Sequence, residues 1–387
     1  MPEPMPHVLS DPRSADDERD MIDRAVRALG EGKLVAFPTE TVYGIAADAS
    51  QEAAVARLLQ IKGRRPGQPL TLAVKSVAAA FDFCPDVSPL GRRLGRRCWP
   101  GPLTLVLNGS HPEGHLRRLA PPVRQAVAPA DFVGLRVPDH RFLLETLQRL
   151  PSPLTLTSAN RSGQADAVSA EEVVETLGDD VDLVLSDGRS RYAQPSSVVR
   201  IQGRELEILR SGVLSEAALR RFASLIVLVV CTGNTCRSPM AQVLLQRRLA
   251  DAVGCGIEEL TDSGLMVISA GVAATTGAAA SPEAIEAMQA RGLDLSHHES
   301  RPVSDVLIRF ADVILTMTRG HREAILSQWP EAVDKIGLVC RDGRDVDDPI
   351  GGDVAEYENC ARQIDGQLTD WIGRLDLGSL PVIKTPS

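Results

Sequence analysis

LIVLVVCTGNTCRSPMAQVLL, residues 225–245, decides the fold of the second half of the chain. Leu225 to Cys231 is an unbroken, β-branched apolar run of strand length, so it reads as a buried strand. A short polar loop follows, and Ser238 with Pro239 at the first helical position opens a helix. A strand that feeds a helix through a tight loop is an α/β unit. Such a loop aims successive backbone N–H groups at one point, and the helix dipole adds roughly half a positive charge there, so an anion such as phosphate fits. Gly233 and Asn234 tolerate the left-handed backbone the loop requires. Cys231 ends the strand, where these surroundings lower a thiol pKa from ~8.5 toward ~3.5–7.5 and make the nucleophilic thiolate the resting form. Arg237 can offer a planar fork to two phosphate oxygens, and Ser238 can hydrogen-bond the sulfur. A cysteine with Lys or Arg six positions on is an expected coincidence in this composition. The joint context of strand, loop, Ser238 and Pro239 carries the reading.

The chain around this unit has 387 residues, more than one ordinary domain, and its 43% hydrophobic and 24% charged content is that of a folded protein. A net charge of −9 argues against a protein that coats polyanions over its whole surface. The longest apolar run is Leu225–Cys231, and the N-terminus is acidic without a signal-type apolar segment, so no membrane association and a cytoplasmic setting are expected. Seven cysteines without paired spacing are expected to be reduced thiols. His111 and His115 are separated by Pro112 and Gly114, which spoils a common helix face, so no structural metal is expected.

Strand-like and helix-like patterns alternate from end to end. Residues 17–30 read as an amphipathic helix, Lys33–Phe37 as a strand stopped by Pro38, residues 51–62 as a helix, and Leu70–Val74 as a strand. Residues 211–224 form a helical connector, and the domain boundary falls before Leu225. The last dozen residues read as a loose tail. The expected fold class is α/β in two domains: a twisted mixed sheet with helices over 15–215, and a doubly wound parallel sheet over 224–375. Residues 1–215 hold no glycine-rich phosphate loop, so a nucleotide there needs side-chain cations. Lys62, Arg64, Arg65, Arg136 and Arg210 are the candidates, among donors in TETVYG (39–44), TSANRSG (157–163) and QPSSVVR (194–200).

VCTGNTCRSPMA resembles the signature of the low-molecular-weight protein phosphatases, and the likeness extends over about 225–370 through ISAG (268–271), LSHHESRPVSD (295–305), ADVILTM (311–317) and DPIGG (348–352). The resemblance implies Cys231 as nucleophile, Arg237 on the phosphate, a loop of Thr232, Gly233, Asn234, Thr235, Cys236 and Ser238, and Asp348 as the acid and base, with Asp347 as its rival. No cofactor is implied. Tyrosine-specific members carry aromatic residues after the Asp-Pro pair, where Ile350 and Gly351 stand here. Thr232 and the run CTGNTCRSPMA resemble the branch acting on protein phosphoarginine, with a branched polar residue after the nucleophile placed to contact a guanidinium. Phosphoarginine therefore ranks above phosphotyrosine, and a phosphoprotein is the implied substrate. The Cys231–Cys236 spacing resembles that of members that form a reversible disulfide.

PTETVYG, KGRRPGQPL, WPGPLTLVL, VGLRVP, TSANRSG and SSVV resemble, in order, the threonylcarbamoyl-AMP synthase (YrdC-type) family over about 20–215. The resemblance implies formation of an adenylate from L-threonine, bicarbonate and ATP with Mg2+, for later transfer to tRNA. It implies Thr41 and Arg136 on threonine, and Lys62, Arg64, Ser158, Asn160, Ser197 and Arg210 on ATP and bicarbonate. Ala73 stands where a histidine is frequent, and Ser196-Ser197 replaces a Ser-Thr pair. Two readings from other classes stay open: a double-stranded RNA or tRNA-binding module for the first half, given the basic RRLGRR (92–97), and an arsenate reductase or phosphotyrosine phosphatase for the second.

Overall fold

The computed structural model describes residues 7–9, 12, 14–63 and 68–384. The chain divides into two compact units, one built from the residues up to Leu219 together with those from Val382 onward, the other spanning Arg220–Pro381. Both are α/β. No helix among the described residues is long and apolar enough to cross a membrane.

The strands of the first unit are β1 (His7–Leu9), β2 (Val35–Phe37), β3 (Gly44–Asp48), β4 (Thr71–Ala73), β5 (Leu103–Asn108), β6 (Phe132–Arg136), β7 (Leu154–Ser158), β8 (Leu183–Leu185), β9 (Ser197–Gln202) and β10 (Glu205–Arg210). The second unit contributes β11 (Leu225–Cys231), β12 (Leu265–Gly271), β13 (Val313–Thr316) and β14 (Ile336–Leu338), and β15 (Val382–Lys384) returns to the first. The first sheet runs β1-β8-β2-β3-β7-β4-β6-β5-β9-β10-β15 and is mixed, for β2/β3 and β3/β7 pair antiparallel while β4/β6 and β5/β9 pair parallel. The tail expected to be loose is a strand over Val382–Lys384, paired parallel with Glu205–Glu207. The alternation of Val382, Ile383 and Lys384 is too short to stand out in sequence, and the open edge of β10 supplies what the segment lacks.

Helix Ala15–Gly30 begins where the Ser14 side chain accepts the Asp17 N–H at 3.1 Å, with Asp16, Asp17 and Glu18 in its first turn and Arg27 in its last. Its apolar stripe of Met21, Ile22, Ala25 and Leu29 is buried with Phe37, Ala46, Phe142 and Leu156, which fixes the back of the sheet. Between β2 and β3 runs the PTETVY segment, whose Glu40 and Thr41 accept from Arg136 at the end of β6 and whose Tyr43 carbonyl accepts the Ala159 N–H just past β7 at 2.8 Å.

In the second unit the sheet order is β12-β11-β13-β14 and every pairing is parallel. Strand β11 lies inside and alternates its side chains. Leu225, Val227, Val229 and Cys231 join the core with helices Arg237–Val253 and Val354–Ile372, whereas Leu228 and Val230 join the one with Ile308 and Ile325. Cys231 thus stands at the carboxyl end of a strand flanked by neighbours on both sides, the switch point where open parallel sheets bind ligands. The helix after the loop starts at Arg237, two residues earlier than Pro239 suggests, and ends at left-handed Gly254.

Candidate functional site

In the second unit, the Cys231 sulfur lies 3.0 Å from Ser238 Oγ and receives the Asn234 backbone N–H at 3.3 Å. Asn234 is held left-handed (φ 56°) and uses all its polar groups. Its Nδ2 donates to Ser238 Oγ at 2.9 Å, its Oδ1 accepts the Arg301 N–H at 2.9 Å, and its carbonyl accepts from His298 Nε2 at 2.7 Å. Burial lowers the His298 pKa, with the bond to Asn234 opposing, so a neutral imidazole supports the loop. The Ser238 hydroxyl has two acceptors, the Ala270 carbonyl at 3.3 Å and the sulfur. It is therefore ready to turn to an ionised sulfur.

Arg237 is buried, and its Nη2 donates to Asp348 Oδ2 at 2.5 Å. Asp348 is 44% exposed at its side chain, whereas the guanidinium it accepts from is buried. Asp347 presents its backbone carbonyl to Cys360 at 3.5 Å and its N–H to Gln363, and no described bond ties its carboxylate to the loop. The Cys360 thiol is buried and pushed up to about 12, which keeps it protonated. Cys236 Sγ sits 3.3 Å from the Tyr357 hydroxyl, itself pushed up to about 12 by burial and then by that bond. The loop residues Thr232 to Cys236 and Ser238 are thus gathered around Cys231, with Thr232 exposed and Thr235 half-buried.

In the first unit a pocket lined by Thr39, Thr41, Arg136, Ser158, Ser196 and Arg210 adjoins a cavity of about 630 Å3, and the two share Thr71, Thr104, Ser158 and Arg210. Arg136 Nη2 donates to Glu40 Oε1 at 2.7 Å and to Thr41 Oγ1 at 2.8 Å, whereas its buried Nε has no partner. Burial lowers the Arg210 pKa, Asp166 opposes, and the Arg136 charge lowers it further. Two guanidiniums held against their mutual repulsion beside a cavity suit an anionic ligand. Lys62 Nζ donates to the Ser158 carbonyl at 3.0 Å and to Asn160 O and Oδ1, each at 2.5 Å. Both Lys62 and Asn160 line the larger cavity, where Arg200, with its buried Nε unpartnered, covers the Phe132 ring.

Thr41, Arg136, Lys62, Ser158, Asn160 and Arg210 therefore converge. Arg64 lies outside the described residues. Ser197 is not on the wall: its hydroxyl is fully buried and exchanges hydrogen bonds with Leu214 O and N at 2.9 and 3.0 Å. Its neighbour Ser196 takes the place, 3.1 Å from Thr104 Oγ1 and bonded by Arg210. Adjacent residues of an extended segment face opposite ways, so a serine pair carries a one-residue ambiguity. Sequence reasoning counted Thr39 only among the donors of TETVYG and singled out neither Glu40 nor Arg200. A carboxylate inside PTETVYG was the available signal for Glu40, but nothing local tells that it is buried against Arg136.

A family model described as telomere recombination (Sua5_yciO_yrdC) matches residues 27–212, and one described as low molecular weight phosphotyrosine protein phosphatase matches 226–378. The threonylcarbamoyl-AMP synthase of Pyrococcus abyssi is 35% identical over 184 residues, 48% of this chain and 52% of its own length. The putative threonylcarbamoyl-AMP synthase of Mycobacterium tuberculosis is 36% identical over 192 residues, 49% of this chain and 83% of its own. The chain thus spans about half the length of the first relative. A solved YwlE mutant from Bacillus subtilis is 33% identical, with 39% of this chain and 99% of that one covered at a TM-score of 0.35. In its first half the chain belongs to the threonylcarbamoyl-AMP synthase family, and its second half matches the low molecular weight phosphotyrosine protein phosphatase model.

Proposed function

We propose that the chain is a bifunctional enzyme. Its first domain, 15–215, makes L-threonylcarbamoyl-AMP, and its second, 224–375, dephosphorylates proteins through a phosphocysteine. The observation that carries the first activity is the unsatisfied buried Arg136 Nε beside Thr41, next to a nucleotide-sized cavity. Arg136 holds the threonine carboxylate and Thr41 adjoins it. The threonine amine adds to bicarbonate with loss of water, giving a carbamate. A carbamate oxygen then attacks the α-phosphorus of ATP, and the bond to the β-phosphate oxygen breaks with release of pyrophosphate. Lys62 and Arg210, with Arg64, offset the repulsion between the two anions, while Ser158, Asn160 and Ser196 orient the nucleotide. Mg2+ enters with ATP, and tRNA receives the product in a later transfer.

In the second domain Cys231 Sγ attacks phosphorus in line, Asp348 protonates the leaving atom, and Asp348 then takes a proton from the water that cleaves the S–P bond. A phosphoryl group in the loop competes with Asp348 for the Arg237 fork, which frees the carboxyl for the leaving group. Ile350, 72% exposed, and Gly351 follow the Asp-Pro pair in place of the aromatic residues of tyrosine-specific members, which supports phosphoarginine over phosphotyrosine. The seven free cysteines fit a cytoplasmic setting.

The test is an assay of the full chain. ATP-, threonine- and bicarbonate-dependent pyrophosphate release is expected, lost in Lys62→Ala. Turnover of p-nitrophenyl phosphate, phosphotyrosine and phosphoarginine peptides is expected, lost in Cys231→Ser. Wild-type rates in either variant overturn the corresponding assignment. A steep salt dependence of RNA binding without turnover would instead identify the first domain as an RNA-binding module.

A further inference from the structure

Beside the thiol loop lies an imidazole that neither half of the mechanism uses. His321 belongs to helix Arg319–Gln328, whose N-cap is Thr318, and it is only 7% exposed. Its Nε2 lies 2.8 Å from Thr232 Oγ1 and its Nδ1 lies 2.9 Å from Thr318 Oγ1. The Thr318 hydroxyl oxygen already accepts the His321 backbone N–H at 3.3 Å. Its hydrogen has one described acceptor, His321 Nδ1. Satisfying that hydrogen places the ring proton on Nε2, which then donates to Thr232. Arg237 Nη2 also points at Thr232 Oγ1, at 3.5 Å. The Thr232 oxygen is thus approached by two donors, and its hydrogen is left free. Thr232 is exposed, in the loop position directly after the nucleophile.

We propose that His321 is a positioning residue that acts through Thr232, holding its hydroxyl as a hydrogen-bond donor to a phosphoryl oxygen bound in the loop. The inference rests on the phosphatase reading of this loop. It deepens that reading by assigning a polarity. A guanidinium offers only N–H donors and gains nothing from an oxygen whose lone pairs are already filled. A preference for phosphoarginine then rests on the open surface at Ile350 and Gly351 rather than on Thr232. The ring in this arrangement is neutral; a proton on Nδ1 would make the Thr318 hydroxyl an acceptor and turn its hydrogen away from the ring, while the Nε2–H would still reach Thr232. Burial lowers the His321 pKa and the Arg237 charge lowers it further, while Asp348 and Asp345 oppose. His321 therefore stays neutral until the pH falls below the ordinary histidine value of about 6.5.

The experiment is a double-mutant cycle on the full chain with p-nitrophenyl phosphate and phosphoarginine peptides. Thr232→Val and His321→Leu are each expected to lower kcat/KM roughly tenfold on both substrates, the range of one hydrogen bond to a charged group, and the double variant to lose no more than either. His321→Gln, whose amide can still donate to Thr232, should recover most of the loss. Losses that multiply in the double variant, no recovery in His321→Gln, or wild-type activity in His321→Leu overturn the proposal. Nitrogen NMR of the His321 ring in the full chain reads the tautomer without turnover. A neutral ring protonated on Nε2 at pH 7 is expected, and a proton on Nδ1 refutes the assignment even if no phosphatase substrate is found. Turnover that survives Cys231→Ser refutes the underlying reading instead.

Discussion

Each site depends on charged and polar groups whose value comes from what they touch. Glu40 is 3% exposed, pairs with Arg136, and accepts the Asp139 N–H at 3.1 Å. A buried ion pair is worth little against an apolar replacement, but removing one member strands the other. Glu40→Ala should therefore lower stability by ~3–5 kcal/mol, seen as a fall in Tm of the transition that threonine or ATP protects, and should lower pyrophosphate release with it. An unchanged Tm and rate would show that Arg136 does not need its partner. The sequence identified Arg136 from its place at the end of VGLRVP. It could not identify Glu40, because an acidic residue in a polar loop is ordinarily solvated. Asn234 illustrates the same limit: its tolerance of a left-handed backbone is legible, but its bonds to Ser238, Arg301 and His298 bring together segments as far as 67 residues apart.

At the scale of elements, the thiol loop is clamped by the end of the neighbouring strand. A methyl group on Gly271, the last residue of β12, would lie 2.3 Å from the Thr232 carbonyl oxygen and 2.9 Å from the Asn234 N–H nitrogen. Both are backbone atoms and cannot give way without moving the loop. Gly271→Ala should cut phosphatase kcat/KM by roughly 100-fold or more, as displacement of a reacting geometry by about 1 Å does, while pyrophosphate release stays at the wild-type rate. A phosphatase of normal activity would show that the loop tolerates the shift. Strand β11 itself was legible, since a β-branched apolar run of seven residues that ends in a polar loop is of strand length. The closeness of Gly271 was not, because ISAG sits some 40 residues away along the chain and meets the loop through the parallel pairing of β11 with β12.

At the scale of the molecule, each unit has its own core, and the two candidate sites draw on residues of different units. Point variants in one should leave the other's chemistry intact. Lys62→Ala is expected to keep at least half of the wild-type phosphatase kcat/KM, and Cys231→Ser to keep at least half of the pyrophosphate release. A loss beyond tenfold across the units, measured on the full chain, would reveal coupling between the two activities.

Local chemistry by itself determined the α/β class, the two-part organisation, the thiol loop with Cys231 and Arg237, and the cationic set around Lys62, Arg136 and Arg210. Each of these follows from short-range pattern: apolar period, turn residues, and a cysteine at a strand end just before a helix start. The tertiary structure alone decided which of two adjacent serines faces the cavity, that Val382–Lys384 is a strand, that Glu40 is buried against Arg136, and that His321 holds Thr232. Those facts depend on pairing register and on burial of polar groups between segments distant in sequence, and no short stretch of chain contains the energy that selects them.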